Sequence, residues 1–263
     1  MNIDLKFINP FQEKIFSEQK RNICGSGGFG NGKTTVFCQK ILALCCAFPN
    51  YRAAIFRTEF RKLCVTTRVT FFKICPPELY DEALGGKRVD SQNYVRFING
   101  SEIYWMHGDN TDDKMLMGLE VNSIFVDQAE ELPESTYEVM DGRVGRWDLA
   151  DVPDHMDKSK FPVNPVTKRL IVPNYMMLAC NPDDTSHWIY QKYHKESYEH
   201  NIDRIDPVTT KGYRYSDTHI MYEAGSADNH ALPEENKAAL RRKGASYVRR
   251  FYYGQWGIFE GQV

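Results

Sequence analysis

No C-x-x-C pair occurs in this chain of 263 residues, and its seven cysteines are an odd number. That pattern points to reduced thiols in a cytoplasm rather than to a disulfide framework or a zinc site. No apolar run is long enough to cross a bilayer, and the opening Met1-Asn2-Ile3-Asp4-Leu5-Lys6 lacks the apolar centre of a signal peptide. The expectation is a soluble protein without a membrane role. Excess positive charge is also missing: the formal net charge of -2 excludes a uniformly basic surface, so any contact with nucleic acid must be local. Internal repeats and low-complexity tracts are absent too. What remains is a 42% hydrophobic chain, enough for a substantial core as one large domain or as a domain with an appendage.

The stretch from Gly25 to Thr35 reads Gly-Ser-Gly-Gly-Phe-Gly-Asn-Gly-Lys-Thr-Thr and contains G-x-x-x-x-G-K-[ST] from Gly27 to Thr34. Arg21-Asn22-Ile23-Cys24 ahead of it reads as a strand, and Thr34 to Ala47 behind it carries helical spacing. Strand, glycine loop and helix make a cradle for a polyphosphate. Glycines let backbone N–H groups turn inward, and the helix start adds its positive end. The candidate nucleotide-binding residues are Gly27, Gly28, Gly30, Asn31, Gly32, Lys33, Thr34 and Thr35. Lys33 reaches the β- and γ-phosphates of ATP, and the Thr34 hydroxyl binds Mg²⁺. Upstream, Asn9 to Phe16 reads as a capped helical turn, and Gln12 within it is a candidate reader of the adenine edge.

Arg52 to Arg57 reads as a buried strand and Thr58 to Cys75 as a helix ended by Pro76-Pro77, with Arg61, Lys62, Arg68 and Lys73 on a solvated face. Tyr94 to Trp105 alternates around Asn99-Gly100, a hairpin signal. Asn122 to Asp127 is an apolar strand ending in a carboxylate, followed by Gln128-Ala129-Glu130-Glu131. With a phosphate loop upstream, Asp127 is the second Mg²⁺ residue. Helix is expected over Glu134–Trp147, a surface insertion over about 148–174, a strand over Tyr175–Cys180, a helix from Ser186 to about Glu196, and a strand over His219–Glu223. Asp154, His155 and Asp157 lack the companions a metal site needs. Asn181, at a strand end, can hydrogen-bond the γ-phosphate or the attacking water. The fold class is α/β: a P-loop NTPase with a mostly parallel sheet flanked by helices and a small C-terminal helical lid or linker. The core is placed at 1–210 and the C-terminal subdomain at 211–263.

The loop Gly27 to Thr35, the segment Ile124 to Leu132, Asn181-Pro182 with His187-Trp188-Ile189, and the tail Tyr247 to Val263 together resemble the N-terminal ATPase domain of the large terminase subunit of tailed bacteriophages. The resemblance implies a P-loop fold of the ASCE/RecA-like kind, ATP as fuel and double-stranded DNA as cargo. It further implies the portal protein and small terminase subunit as partners, a homo-oligomeric ring, and action in the host cytoplasm. It implies a nuclease domain after the tail, so no nuclease activity is expected of this chain. Many members carry an arginine inside the loop where Phe29 stands, and a glutamate directly after the strand-end acid where Gln128 stands. Gln128 can orient water but cannot take its proton, so Glu130 or Glu131 is the expected base. The alternatives are a nucleotide-binding switch with weak turnover and a small-molecule P-loop kinase.

Overall fold

The computed structural model describes residues 5–108, 116–194, 203–206 and 208–258. The strands are β1 (Asn22–Gly27), β2 (Arg52–Arg57), β3 (Lys87–Val89), β4 (Tyr94–Arg96), β5 (Glu102–His107), β6 (Ser123–Asp127), β7 (Met176–Cys180), β8 (Arg204–Ile205), β9 (Gly212–Tyr213) and β10 (His219–Ala224). Eight of them form one sheet in the order β10-β1-β7-β6-β2-β5-β4-β3, and β8 and β9 form a separate antiparallel pair. β1 runs parallel to β10 with Asn22 opposite His219, and β2 runs parallel to both β5 and β6. The β3-β4-β5 edge is antiparallel. All residues of β1, β6 and β7 are buried, which is why these segments read as continuous apolar or small-residue runs rather than as alternation.

Helix α1 (Pro10–Ser17) starts where the Asn9 side chain accepts from the Gln12 N–H at 3.0 Å, with Pro10 in the first turn. Helix α2 (Lys33–Ala47) follows the glycine loop. The expected helix after β2 runs from Phe60 to Ile74 and includes a π turn at Leu63–Thr67. It ends on extended Cys75, as the following prolines require. Arg68 departs from the expected solvated face: it is buried and paired with Asp90. The hairpin expected around Asn99-Gly100 is the β4-β5 pair; Gly100 has φ of 83° and leaves no room for a Cβ against Asn50 Oδ1.

Two spans are shorter than expected. The helix placed over Glu134–Trp147 stops at Asp141, where the Gly142 N–H bonds to the Glu138 carbonyl. Gly145, with φ of 83°, then gives its N–H to the Val121 carbonyl instead of continuing the helix. The helix opened by His187 covers Trp188–Tyr193 and His194 is extended; residues 195 and 196 lie outside the described residues.

The chain divides into two compact units. One comprises Phe37–Asp127 and Leu132–Met176. Its core holds Phe37 stacked on Phe125 at 5.1 Å, with Tyr51, Phe56, Phe71 and Phe97 fully or almost fully buried. Each such side chain contributes roughly 1.5–3 kcal/mol through burial. The other comprises Lys6–Val36, Gln128–Glu131 and Met177–Val263, with Ile15, Ile23, Leu178, Ile189 and Tyr193 at its centre.

Candidate nucleotide site

β1 delivers the chain to Gly27, and α2 begins at Lys33. Between them, four consecutive carbonyls are held by side-chain donors from outside the loop. The Ser226 hydroxyl donates to Phe29 O at 2.6 Å, the Asn229 amide to Gly30 O, the Asn9 amide to Asn31 O at 3.1 Å, and the Gln12 amide to Gly32 O at 3.0 Å. Fixing the carbonyls outward turns the intervening N–H groups the other way. Gly30 and Gly32 take φ of 72° and 86° on either side of Asn31, and the N–H groups of Gly30, Asn31 and Gly32 have no protein acceptor among the described residues. Successive inward N–H groups at a helix start form an anion-binding concavity.

The loop's first residues are clamped to the C-terminal segment. Gly28 N–H donates to Ala224 O at 3.2 Å and Phe29 N–H to Phe251 O at 3.1 Å, while Asn31 Nδ2 donates to Ala224 O at 3.1 Å. The Phe29 ring lies flat on Phe251 with centroids 4.5 Å apart. Gln12, singled out in sequence as a candidate adenine reader, donates through Nε2 to Gly32 O and accepts from the Ile8 N–H at 2.8 Å. Ser226, Asn229 and Phe251 carry no local sequence signal; only the fold brings them to the loop.

Lys33 is buried, and its Nζ donates to Gly27 O at 2.7 Å, Gly28 O at 2.9 Å and Asn181 Oδ1 at 3.3 Å. All three ammonium protons thus have acceptors, which compensates for withdrawing the charge from water. Asn181, one residue past β7, donates through Nδ2 to Glu130 Oε1 at 2.6 Å. Glu130 Oε2 is buried without a hydrogen-bond partner, and burial pushes the Glu130 carboxyl above its ordinary value. The result is a chain Lys33–Asn181–Glu130 ending in an oxygen able to take a proton. Glu131 is exposed, and Gln128 takes φ of 59° at the turn out of β6. Thr34 and Thr35 are half-buried in the first turn of α2.

Asp127 closes β6, and its surroundings within its own unit are specific. Its Oδ2 accepts from the Thr67 hydroxyl at 2.6 Å and lies 4.0 Å from Arg57 NH1. A buried carboxylate is a hard oxygen donor of the kind Mg²⁺ takes alongside substrate phosphates. Among the described residues there is no group of three His, Cys, Asp or Glu that could hold a metal ion. Asp154 and Asp157 are engaged by Lys158 and by the Ser159 N–H. Arg146 is exposed, with Nε donating to Gly142 O at 2.8 Å, and Arg143 is half-buried.

A mostly parallel sheet with this loop after its first strand defines a P-loop NTPase fold. Among solved structures the chain is similar to large terminases. With the large terminase of a thermophilic bacteriophage the TM-score is 0.69 at 16% identity, over 96% of this chain and 54% of that one. The same thermophilic-phage protein has been solved in complex with ADP. With the large terminase ATPase domain of Thermus phage P74-26 the TM-score is 0.63 at 12% identity, over 96% and 94% of the two chains. With the large terminase of bacteriophage HK97 it is 0.60 at 12% identity, over 97% and 51%. The chain therefore spans about half the length of the first and last of these proteins. No protein-family model matches the sequence, and no curated protein does.

Proposed function

We propose that this chain is an ATP-hydrolysing motor module that drives double-stranded DNA into a viral procapsid, working with a portal protein and a small terminase subunit as a homo-oligomeric ring in the host cytoplasm. The observation that carries the reading is the hydrogen-bonded chain Lys33–Asn181–Glu130 beside a loop whose inward N–H groups lack protein acceptors among the described residues. The polyphosphate takes the N–H groups of Gly30, Asn31 and Gly32, and Lys33 exchanges its loop carbonyls for phosphate oxygens. Thr34 and Asp127 are the residues that would hold Mg²⁺, which would supply positive charge against the phosphates. Glu130 holds the attacking water through its unpartnered Oε2 and takes its proton, while Asn181 fixes the orientation of that carboxylate.

The same residues supply a route to mechanical work. Pro182 and Asp183, next to Asn181, are bonded by Arg250: its Nε donates to Pro182 O at 2.5 Å and its NH2 pairs with Asp183 at 3.0 Å. A change at Asn181 on hydrolysis is thereby transmitted to the C-terminal helical segment. Lys33→Ala tests the reading: steady-state phosphate release falls at least about 100-fold, the loss typical of removing a group that stabilises transition-state charge, while the circular dichroism spectrum is retained. Turnover within about tenfold of wild type contradicts the assignment. The wild-type chain leaves plasmid DNA uncut in Mg²⁺ or Mn²⁺; cleavage abolished by substitutions in this chain refutes the view that no nuclease resides here.

A further inference from the structure

The helix after β2 is interrupted by a π turn at Leu63–Thr67, a feature that costs hydrogen-bond regularity and is frequent at functional sites. Here it places two consecutive threonines in polar contact with the ends of β2 and β6. Thr66 accepts from Arg57 NH1, and Thr67, fully buried, gives its hydroxyl proton to Asp127 Oδ2 at 2.6 Å. Arg57 is itself buried, 4.0 Å from the same carboxylate oxygen, and its Nε has no partner. A threonine in an apolar core costs free energy unless its hydroxyl is bonded, so this site is arranged around the carboxylate and not around packing.

We propose that Thr67 is a positioning residue for Asp127: its hydroxyl fixes one oxygen of the carboxylate so that the group presents a single orientation to Mg²⁺, with the Arg57 guanidinium holding the same edge from β2. The π turn is the device that brings Thr67 to that oxygen. The proposal rests on the reading of Asp127 as the magnesium carboxylate. Residues that hydrogen-bond metal-holding carboxylates set the orientation of those groups, and losing one costs roughly 10- to 100-fold in metal affinity or activity.

The test is Mn²⁺ binding to the protein–ADP complex, followed by electron paramagnetic resonance, for wild type, Thr67→Val, Thr67→Ser and Asp127→Asn. Thr67→Val keeps the shape and removes the donor, so its Mn²⁺ dissociation constant rises about tenfold, the low end of that range, while ADP binding in EDTA is unchanged. Thr67→Ser, which restores the hydroxyl, returns to near the wild-type value. Should Thr67→Val not fold, Thr67→Ala carries the same expectation. Wild-type Mn²⁺ affinity in Thr67→Val, with Asp127→Asn impaired, overturns the role of Thr67. Wild-type affinity in both overturns the reading of Asp127 and the proposal with it. Equal loss of ADP binding in EDTA, unrescued by serine, shows a purely structural threonine and also overturns it.

Discussion

At the scale of single residues the site turns on one carboxylate. Sequence left Glu130 and Glu131 as equal candidates for the base, because a short run of acids after a strand does not say which one turns inward. The folded chain gives them different surroundings, and under the proposed function Glu130 is the base: Glu130 is tied to Asn181 at 2.6 Å with its second oxygen buried and unpartnered, and Glu131 is exposed. Burial raises the Glu130 pKa above 4.5, and a base acts only when deprotonated. The turnover number therefore falls as pH is lowered while still above the ordinary glutamate range. Glu130→Gln abolishes hydrolysis and retains ATP binding, whereas Glu131→Gln keeps both the rate and the acid limb. Stability carries the opposite sign. A glutamate with a raised folded-state pKa is most favourable below its unfolded value and loses stability as pH rises through the folded one. Glu130→Gln accordingly melts higher than wild type at about pH 8, and the difference closes towards about pH 4. Thermal melts that differ equally at both values contradict the buried-carboxylate account.

At the scale of elements, strands and the loop motif were legible because their signals are local: buried apolar runs, a glycine pattern, an Asn-Gly turn. Helix lengths were less so. Glu134 to Trp147 kept helical spacing, yet the Gly142 N–H makes the last bond along the helix, to Glu138 O, and the Gly145 N–H turns to Val121 O, a choice settled by Val121 and not by the segment itself. The bracing of the loop was invisible for the same reason, since Ser226, Asn229 and Phe251 lie far along the chain. That bracing predicts a sharp contrast between two glycines. A Cβ on Gly28 would sit 2.1 Å from Phe251 O and 2.7 Å from Ser226 Oγ, and the backbone carbonyl cannot move without releasing the Phe29 N–H. A Cβ on Gly244 meets nothing within 4 Å. Gly28→Ala should lower stability by about 1–3 kcal/mol, the usual cost of overpacking, and weaken ATP binding. Gly244→Ala should change stability by no more than about 0.5 kcal/mol, as is usual for surface substitutions. Equal chemical-denaturation midpoints for the two variants would remove the clamp from the account.

For the whole molecule, the alternation of strand and helix made the fold class legible, and the structural likeness to large terminases agrees with the resemblance carried by the loop, the strand-end acid and the Asn-Pro segment. The source of transition-state positive charge was not legible, and under the proposed function it decides whether one copy of the chain depends on another. Phosphoryl transfer spreads charge over the γ-phosphoryl oxygens, and an arginine supplied in cis or in trans gives about 10³ to 10⁵ in rate. Phe29 stands at the loop position where many members of the resembled family carry an arginine, and its ring is stacked on Phe251. Arg57 is engaged with Thr66 and faces Asp127, whereas Arg146 is exposed on the segment following the short helix Glu134–Asp141. An exposed arginine whose side chain, among the described residues, is bonded to a local carbonyl suits donation to a second copy of this chain. Specific ATPase activity should therefore rise with protein concentration and on adding DNA or portal protein. Arg146→Ala should be inactive alone. Mixed with Lys33→Ala, which lacks turnover but retains Arg146, it should recover part of the wild-type rate, since an intact loop on one copy then meets an intact arginine on the other. Activity that stays flat on dilution into the monomer range, with no recovery on mixing, would place the arginine in cis and leave the ring without its catalytic rationale.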